Sequence, residues 1–132
     1  MPTRPPRHKP LGYKRRVYSP MEDQHRGSST ARGYGRRWGK ARATHLSRSP
    51  LCRYCELLGT VRPAVLVDHL YPHKGDSAVF WMTELWVSSC QACHSIFKQK
   101  VELAGQAAID DLAHKLGLPT LHQALARRHA NA

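Results

Sequence analysis

Hydrophobic positions are scarce and irregular at the start of the chain and become periodic only later. Residues 1 to about 33 contain the polar run HRGSST and five prolines, Pro2, Pro5, Pro6, Pro10 and Pro20. A segment of this composition has little apolar surface to bury, so we expect a disordered or loosely ordered arm. From about Gly35, the segment GRRWGKARATHLSRSP carries Trp38 and Leu46 at helix-compatible spacing, and Ser49-Pro50 ends the pattern. This pattern predicts one helix, packed through Trp38 and Leu46 and basic on its other side.

The middle of the chain has two short apolar runs that predict strands. Ala64 to Val67 form the first run and Leu85 to Ser89 the second, and a short helical turn is expected around Trp81 between them. Beyond the second run, apolar residues recur at helical spacing from Cys93 to Ala104. The expected order is therefore strand, strand, helix.

The C-terminal segment predicts two further helices. Ala108, Leu112 and Leu116 lie four residues apart and are followed by Gly117 as a stop signal, and a second apolar helix is predicted over Leu121 to Ala126. A packing hairpin is the preferred interpretation, because the second half of a helix-turn-helix would be poorly spaced here. We thus divide the chain into an arm over 1–33, a domain over 34–105 and a helical hairpin or tail over 106–132.

The distribution of charge points to a polyanionic partner. The chain has 132 residues and a formal net charge of +12, and residues 1–48 hold 13 Lys and Arg against two acids. Such a density favours nucleic acid, since neutralising phosphates releases counterions; a solubilising tail is the alternative. The sequence has neither a long apolar span nor an apolar segment behind its basic start, so we expect a cytosolic protein with no membrane or secretory segment.

Four cysteines stand in two CxxC pairs, Cys52 with Cys55 and Cys90 with Cys93. Structural disulfides are rare in reducing compartments, whereas two such turns let four thiolates close a tetrahedron around Zn²⁺. A redox CxxC would occur singly near a βαβ pattern, which the sequence lacks. The spacing therefore predicts a structural zinc site with a whole substructure inserted between its two halves. His94, directly after Cys93, could replace one cysteine as a ligand, but with four cysteines already in paired spacing we expect it to be left for another role.

That inserted substructure contains VDHLYPHKGD, with Asp68, His69 and His73. Histidines in such a loop are usually surface residues. Framed by CRYC before it and by FWMTELWVSSC and CQACHSIFK after it, however, the segment resembles the HNH endonucleases, in particular the small HNH proteins encoded beside phage packaging genes. The resemblance runs from about Trp38 to Lys100, roughly half of the chain.

The resemblance implies a small α+β fold with a ββα-metal (His-Me finger) core, stabilised by a four-cysteine zinc site and flanked by helices. It implies that His69 is the general base and that Asp68 and His94 bind the catalytic cation, which could be Mg²⁺, Mn²⁺, Ni²⁺ or Zn²⁺. Members of the family hydrolyse DNA to leave 5′-phosphate and 3′-hydroxyl ends. Its phage-encoded members act in the cytoplasm of the bacterial host with terminase and portal proteins. The oligomeric state is left open, with a monomer as one possibility.

Several further positions carry expectations of their own. Leu85 stands where the family has its middle asparagine, which pins the loop of the catalytic histidine. Either Glu84, Thr83 or a shifted backbone substitutes for it, or the enzyme is slower. His73 is either an auxiliary contact to a phosphate or to the outer shell of the cation, or a simple loop residue. Lys98 and Lys74 are either contacts to the DNA backbone or solvated lysines. The candidate phosphate-gripping residues of the first helix are Arg36, Arg37, Lys40 and Arg42, and the aromatic residues expected in the core rather than against bases are Phe80, Trp81 and Trp86.

Two functions from different classes fit these features. The first is a metal-dependent DNA endonuclease that nicks or cuts duplex DNA. The second is a non-catalytic zinc module that binds nucleic acid or serves as a scaffold in a packaging complex. The group formed by Asp68, His69 and His94 favours the enzyme, because a binding module needs no base beside a metal ligand.

Overall fold

The computed structural model describes residues 34–131, so the predicted arm over 1–33 lies outside the described part of the chain. The two strands are β1 (Leu66–His69) and β2 (Trp86–Ser89). The helices are α1 (Arg36–Arg48), α2 (Arg53–Leu57), α3 (Ser77–Phe80), α4 (Gln99–Ala104), α5 (Gln106–Leu116) and α6 (Leu121–Ala130). A 3₁₀ turn over Thr83–Leu85 precedes β2, and a π-helical segment over Cys93–Lys98 runs directly into α4.

The two strands form an antiparallel sheet in which Asp68 is opposite Val87 and His69 is opposite Trp86. The second strand lies within one residue of its prediction, but the first begins two residues later than predicted. The backbone N–H of Ala64 donates to the carbonyl of Pro50 at 2.8 Å, so this end of the apolar run is held outside the strand ladder. The strand instead extends two residues past its predicted end, so that Asp68 and His69 are its last two residues.

The helical predictions agree closely with the structure. Helix α1 spans the predicted segment, and its buried residue is Trp38. Helix α5 ends at Gly117, whose φ of 70° is the left-handed conformation that glycine adopts at little cost. Helix α6 begins with a capping box between Thr120 and Gln123, and it continues four residues past the predicted end. Within residues 34–131, no helix has the length and apolar character needed to cross a membrane.

Two hydrophobic clusters flank the sheet. The larger one joins the four cysteines to Leu85 and Val87, and the C-terminal helices add Ile109, Leu112, Leu116 and Ala124 to it. The smaller one contains Trp38, Val67, Phe80 and Trp86. Phe80 and Trp86 are therefore core residues, as predicted, and the partly buried Trp81 packs against them. The division of the chain at residue 105 stays a prediction, although both C-terminal helices contribute to the larger cluster.

Candidate functional site

The four cysteines lie together although 34 residues separate the two pairs in the sequence. All four are buried, and their sulfur atoms lie within 4.8 Å of one another. Cys55 Sγ is 3.5 Å from Cys93 Sγ and 3.7 Å from Cys90 Sγ. Four thiolates at the usual zinc–sulfur distance would be about 3.8 Å apart, so this cluster could hold a zinc ion.

The chemistry of the thiols also fits a cation. The backbone N–H of Cys93 lowers the pKa of Cys90 to about 7, whereas burial raises the pKa of Cys55. Backbone N–H groups of Cys55 and Cys93 donate to the sulfurs of Cys52 and Cys90 at 3.4 Å each. A buried cation would supply the remaining charge that keeps all four groups as thiolates.

The end of β1 directs two neighbouring side chains to opposite faces of the sheet, because side chains alternate along a strand. Asp68 contacts Tyr54 on the side of the larger cluster, and His69 packs against Phe80 in the smaller one. At the edge of the sheet both residues line one cavity of about 540 Å³. The other polar and aromatic residues of its wall are Tyr34, Trp38, Arg42, His73, His94 and Glu102.

Asp68 is 6% exposed and its two carboxylate oxygens have different surroundings. Its Oδ2 accepts a hydrogen bond from the Tyr54 hydroxyl at 2.7 Å and lies 3.1 Å from Lys98 Nζ. Its Oδ1 lies 3.6 Å from His94 Nε2. The structure thus brings together Asp68 and His94, the two residues expected to bind the catalytic cation.

Lys98 is buried, so it is neither a solvated lysine nor exposed for a contact with the DNA backbone, the two interpretations that the sequence allowed. It is 1% exposed, and its Nζ donates to the carbonyl of His69 at 3.1 Å and to Glu102 Oε1 at 2.7 Å. Together with Asp68, these groups offer it three acceptors. A buried ammonium needs such partners, and here they tie the helix that carries His94 to the end of β1.

His69 is fixed by a backbone carbonyl and by an aromatic stack. Its Nε2 lies 3.1 Å from the carbonyl oxygen of Phe80, which also accepts from Trp86 Nε1 at 2.9 Å. The indole of Trp38 stacks on the imidazole at a centroid distance of 5.1 Å. Burial, with a smaller contribution from His73, lowers the pKa of His69 to about 4. The imidazole is therefore neutral near pH 7, with Nε2 as the donor and Nδ1 as an acceptor.

His73 lies in a tight turn beside the site. Lys74 and Gly75 have φ values of 50° and 81°, and the N–H of Asp76 donates to the carbonyl of His73 at 2.8 Å, as in a type I′ turn. The Nδ1 of His73 accepts from the N–H of Gly75 at 3.1 Å, and its Nε2 is 3.0 Å from the Tyr34 hydroxyl. Both ring nitrogens are thus engaged within the protein. Whether His73 assists at a phosphate stays a prediction.

Leu85 cannot replace the family's middle asparagine, since its side chain is buried in the larger cluster. Its backbone contributes instead, because its carbonyl accepts from the N–H of Leu70 just after β1 at 3.0 Å. Thr83 and Glu84 are exposed. The contact that fixes His69 comes from the Phe80 carbonyl, which bonds His69 Nε2 and is itself held by Trp86 Nε1.

The basic residues predicted to contact DNA lie along α1 and in the turn after β1. Arg42 lines the cavity, and the Arg37 guanidinium lies 4.0 Å from the centre of the Trp81 ring. Arg36, Lys40 and Lys74 are exposed. Their contacts with DNA stay predictions.

Several residues of the site, among them Tyr54, Trp38 and Trp86, were not predicted as functional residues. Tyr54 lies inside the first CxxC turn, where the pattern assigned a role to the cysteines alone. Trp38 was predicted as a packing residue of α1, and Trp86 as a core residue. A hydroxyl-bearing aromatic inside a zinc turn is a usable signal, because a buried tyrosine needs a hydrogen-bond partner.

Comparison with known proteins supports the fold. No protein-family model and no curated protein matches the chain. Among solved structures, the crystal structure of the HNH endonuclease of the deep-sea thermophilic bacteriophage GVE2, with a manganese ion, matches at a TM-score of 0.50 and 27% sequence identity. The match covers 66% of this chain and 98% of that one.

The structural match and the four-cysteine cluster confirm the predicted resemblance to the HNH endonucleases and the predicted small α+β fold. We conclude that the chain has the small α+β fold of an HNH endonuclease, with a four-cysteine cluster that could bind zinc.

Proposed function

We propose that this protein is a metal-dependent endonuclease that hydrolyses phosphodiester bonds in DNA and leaves 5′-phosphate and 3′-hydroxyl ends. One observation carries the proposal. A carboxylate oxygen of Asp68 lies 3.6 Å from His94 Nε2, and both residues share a cavity with a histidine that is neutral near pH 7. The similarity in fold to a phage HNH endonuclease supports the same assignment.

Asp68 and His94 would hold the catalytic cation. Their separation of 3.6 Å suits two ligands of one ion at about 2.1 Å each, and a carboxylate with an imidazole suits Mg²⁺, Mn²⁺, Ni²⁺ or Zn²⁺. When bound, the cation supplies Lewis acidity at the scissile phosphate and stabilises the departing 3′ oxygen. The four cysteines would hold the structural Zn²⁺, which is a separate site.

His69 would act as the general base through its Nδ1. Its Nε2 is committed to the carbonyl of Phe80, which fixes the tautomer that leaves Nδ1 unprotonated. Burial keeps the imidazole neutral, so it can accept the proton of the water that attacks phosphorus. The stack with Trp38 restricts rotation of the ring during this transfer.

DNA would lie across α1 and the cavity mouth. Arg42 lines the cavity, and Arg36, Lys40 and Lys74 are exposed where they could contact phosphates on either side of the cut. The +12 charge of the chain supplies long-range attraction to the duplex. Action on phage DNA in the host cytoplasm, beside terminase and portal proteins, is implied by the family resemblance alone.

A plasmid-nicking assay tests the proposal. Zinc-loaded protein is incubated with supercoiled plasmid and Mg²⁺, Mn²⁺, Ni²⁺ or Zn²⁺, and the expected result is relaxed or linear product in at least one cation. Asp68→Asn should abolish cutting while retaining DNA binding in a mobility-shift assay. If the wild type binds DNA but cuts in none of the cations, the non-catalytic zinc module is the better description.

A further inference from the structure

The surroundings of Asp68 assign a role to two residues that have no place in the proposed chemistry. The Tyr54 hydroxyl and the Lys98 ammonium both contact Oδ2 of this carboxylate, at 2.7 Å and 3.1 Å. Both side chains are almost fully buried, Tyr54 at 0% and Lys98 at 1% exposure. A hydroxyl and an ammonium bound to one carboxylate oxygen leave that oxygen little capacity for a further ligand.

The two donors are themselves held from separate parts of the fold. Tyr54 lies in α2, inside the first CxxC turn, and the cysteine cluster therefore fixes its position. Lys98 is fixed by the carbonyl of His69 at 3.1 Å and by Glu102 Oε1 at 2.7 Å. The Asp68 carboxylate consequently cannot rotate without breaking contacts on two sides, and Oδ1 stays directed to His94.

This arrangement bears on the choice of cation. Ca²⁺ takes six to eight oxygen ligands and often binds a carboxylate through both oxygens, whereas Mg²⁺ demands near-ideal octahedral geometry with closer ligands. Mn²⁺ likewise forms octahedral sites with carboxylate and water ligands. A carboxylate with one available oxygen therefore disfavours the larger ion.

We propose that Tyr54 and Lys98 are positioning residues that restrict Asp68 to a single metal-facing oxygen, and that they thereby favour Mn²⁺ or Mg²⁺ over Ca²⁺ at the catalytic site. The proposal rests on the proposed function, because it takes Asp68 as a cation ligand. The specificity for small cations would then depend on the first CxxC turn, which contains Tyr54.

Tyr54→Phe is the informative variant. It removes one hydroxyl, keeps the ring in its buried position and preserves the ion pair of Asp68 with Lys98. Removing Lys98 instead would leave the buried Asp68 carboxylate without its counter-charge and destabilise the whole fold. Tyr71→Phe is a matched control, since its buried hydroxyl donates to another carboxylate, Asp110 Oδ1, at 2.5 Å.

The experiment is a calorimetric titration of the zinc-loaded full chain with MnCl₂ and with CaCl₂. The quantity compared is the ratio of the Ca²⁺ Kd to the Mn²⁺ Kd. We expect Tyr54→Phe to lower this ratio about tenfold, because removing a hydrogen-bond partner of a metal ligand commonly changes metal affinity by about this factor. Tyr71→Phe should leave the ratio unchanged. Circular dichroism and zinc content verify that each variant is folded.

If Tyr54→Phe has the same ratio of the Ca²⁺ Kd to the Mn²⁺ Kd as the wild type, the positioning role is wrong. It is also wrong if Tyr71→Phe lowers this ratio as much as Tyr54→Phe does. Asp68→Asn separates this failure from failure of the proposed function. If the wild type binds neither cation, or if Asp68→Asn binds Mn²⁺ as the wild type does, Asp68 is not the ligand and the proposed catalytic site itself is wrong.

Discussion

At the scale of single residues, the site depends on how Asp68 and His69 are held at the end of one strand. Asp68 is a buried carboxylate whose charge is balanced by Lys98, and His69 is an imidazole kept neutral by burial. The two environments differ because the side chains point to opposite faces of the sheet. The pair therefore places a carboxylate that is paired with Lys98 beside an imidazole that can accept a proton.

Removing the charge of Lys98 should destabilise the fold. Lys98→Met leaves Asp68 buried with an unbalanced charge, and the loss of one partner of such a pair costs about 3 kcal/mol. The free energy of unfolding is measured by urea titration of zinc-loaded protein. The double variant Lys98→Met with Asp68→Asn should recover part of the loss. A cost below about 1 kcal/mol for the single variant would contradict the buried pair.

His69 should make stability depend on pH. Its pKa of about 4 in the folded state lies below the usual 6.5, so the unfolded chain takes up a proton more readily. The stabilising contribution of neutral His69 is complete above about pH 6.5 and decreases as the pH falls towards its folded pKa.

His69→Gln, which cannot take up this proton, isolates the effect. Urea unfolding of both zinc-loaded proteins at about pH 7.5 and about pH 5 should show a larger loss of stability in the wild type than in the variant. Equal losses in the two proteins would show that His69 is not held neutral by the fold.

At the scale of elements, α3 links a helix cap to His69. Asp76 Oδ1 accepts from the N–H groups of Ala78 and Val79 at 2.8 Å and 3.3 Å, and the helix ends at Phe80, whose carbonyl holds His69. A weakened cap should therefore loosen the base as well as the helix.

Two substitutions of the capping residue Asp76 test this link. Asp76→Ala should cost about 1 kcal/mol of stability, whereas Asp76→Asn, which also caps well, should cost little. Nicking rates should follow the same order, with a several-fold decrease in the alanine variant. Equal rates in the two variants would mean that α3 does not position His69.

The sequence predicted the elements better than their connections. The periodicity from Gly35 to Arg48 and the stop at Gly117 are local signals, and both helices agree with the structure. The shift of β1 depends on Ala64 bonding to the distant Pro50, which no local pattern encodes.

At the site, the motif identified Asp68, His69 and His94 as candidate residues. The spacing of the cysteines predicted that the four thiols lie together. The burial of Lys98 could not be predicted, because a lysine is exposed unless tertiary partners surround it. The same holds for Tyr54, Trp38 and Trp86, whose roles depend on contacts between elements that lie far apart in the sequence.

At the scale of the whole molecule, the cysteine cluster joins elements that would otherwise share a small core. The four sulfurs connect α2 to the end of β2 and to the π-helical segment, and the C-terminal helices pack on the same cluster. Structural zinc sites contribute about 10 kcal/mol or more to folding in small domains, which is comparable to the whole stability of a domain.

Chelation should accordingly unfold the protein. Removal of zinc with a strong chelator is expected to abolish the helical circular dichroism signal. Dialysis that removes only Mg²⁺ or Mn²⁺ should leave the signal unchanged, since Asp68 is already balanced by Lys98. A helical spectrum that survives complete loss of zinc would contradict the structural role of the four cysteines.

His69 is proposed as the base of a DNA-cutting site, and the rate of plasmid nicking by His69→Ala measures this role. His45→Ala is the matched control, because His45 is a partly buried histidine that contacts the same Trp86 ring at 6.0 Å. We expect His69→Ala to lower the rate by about 10²-fold or more with DNA binding retained, and His45→Ala to stay within a few-fold of the wild type. Equal nicking rates in His69→Ala and the wild type would show that His69 is not the base.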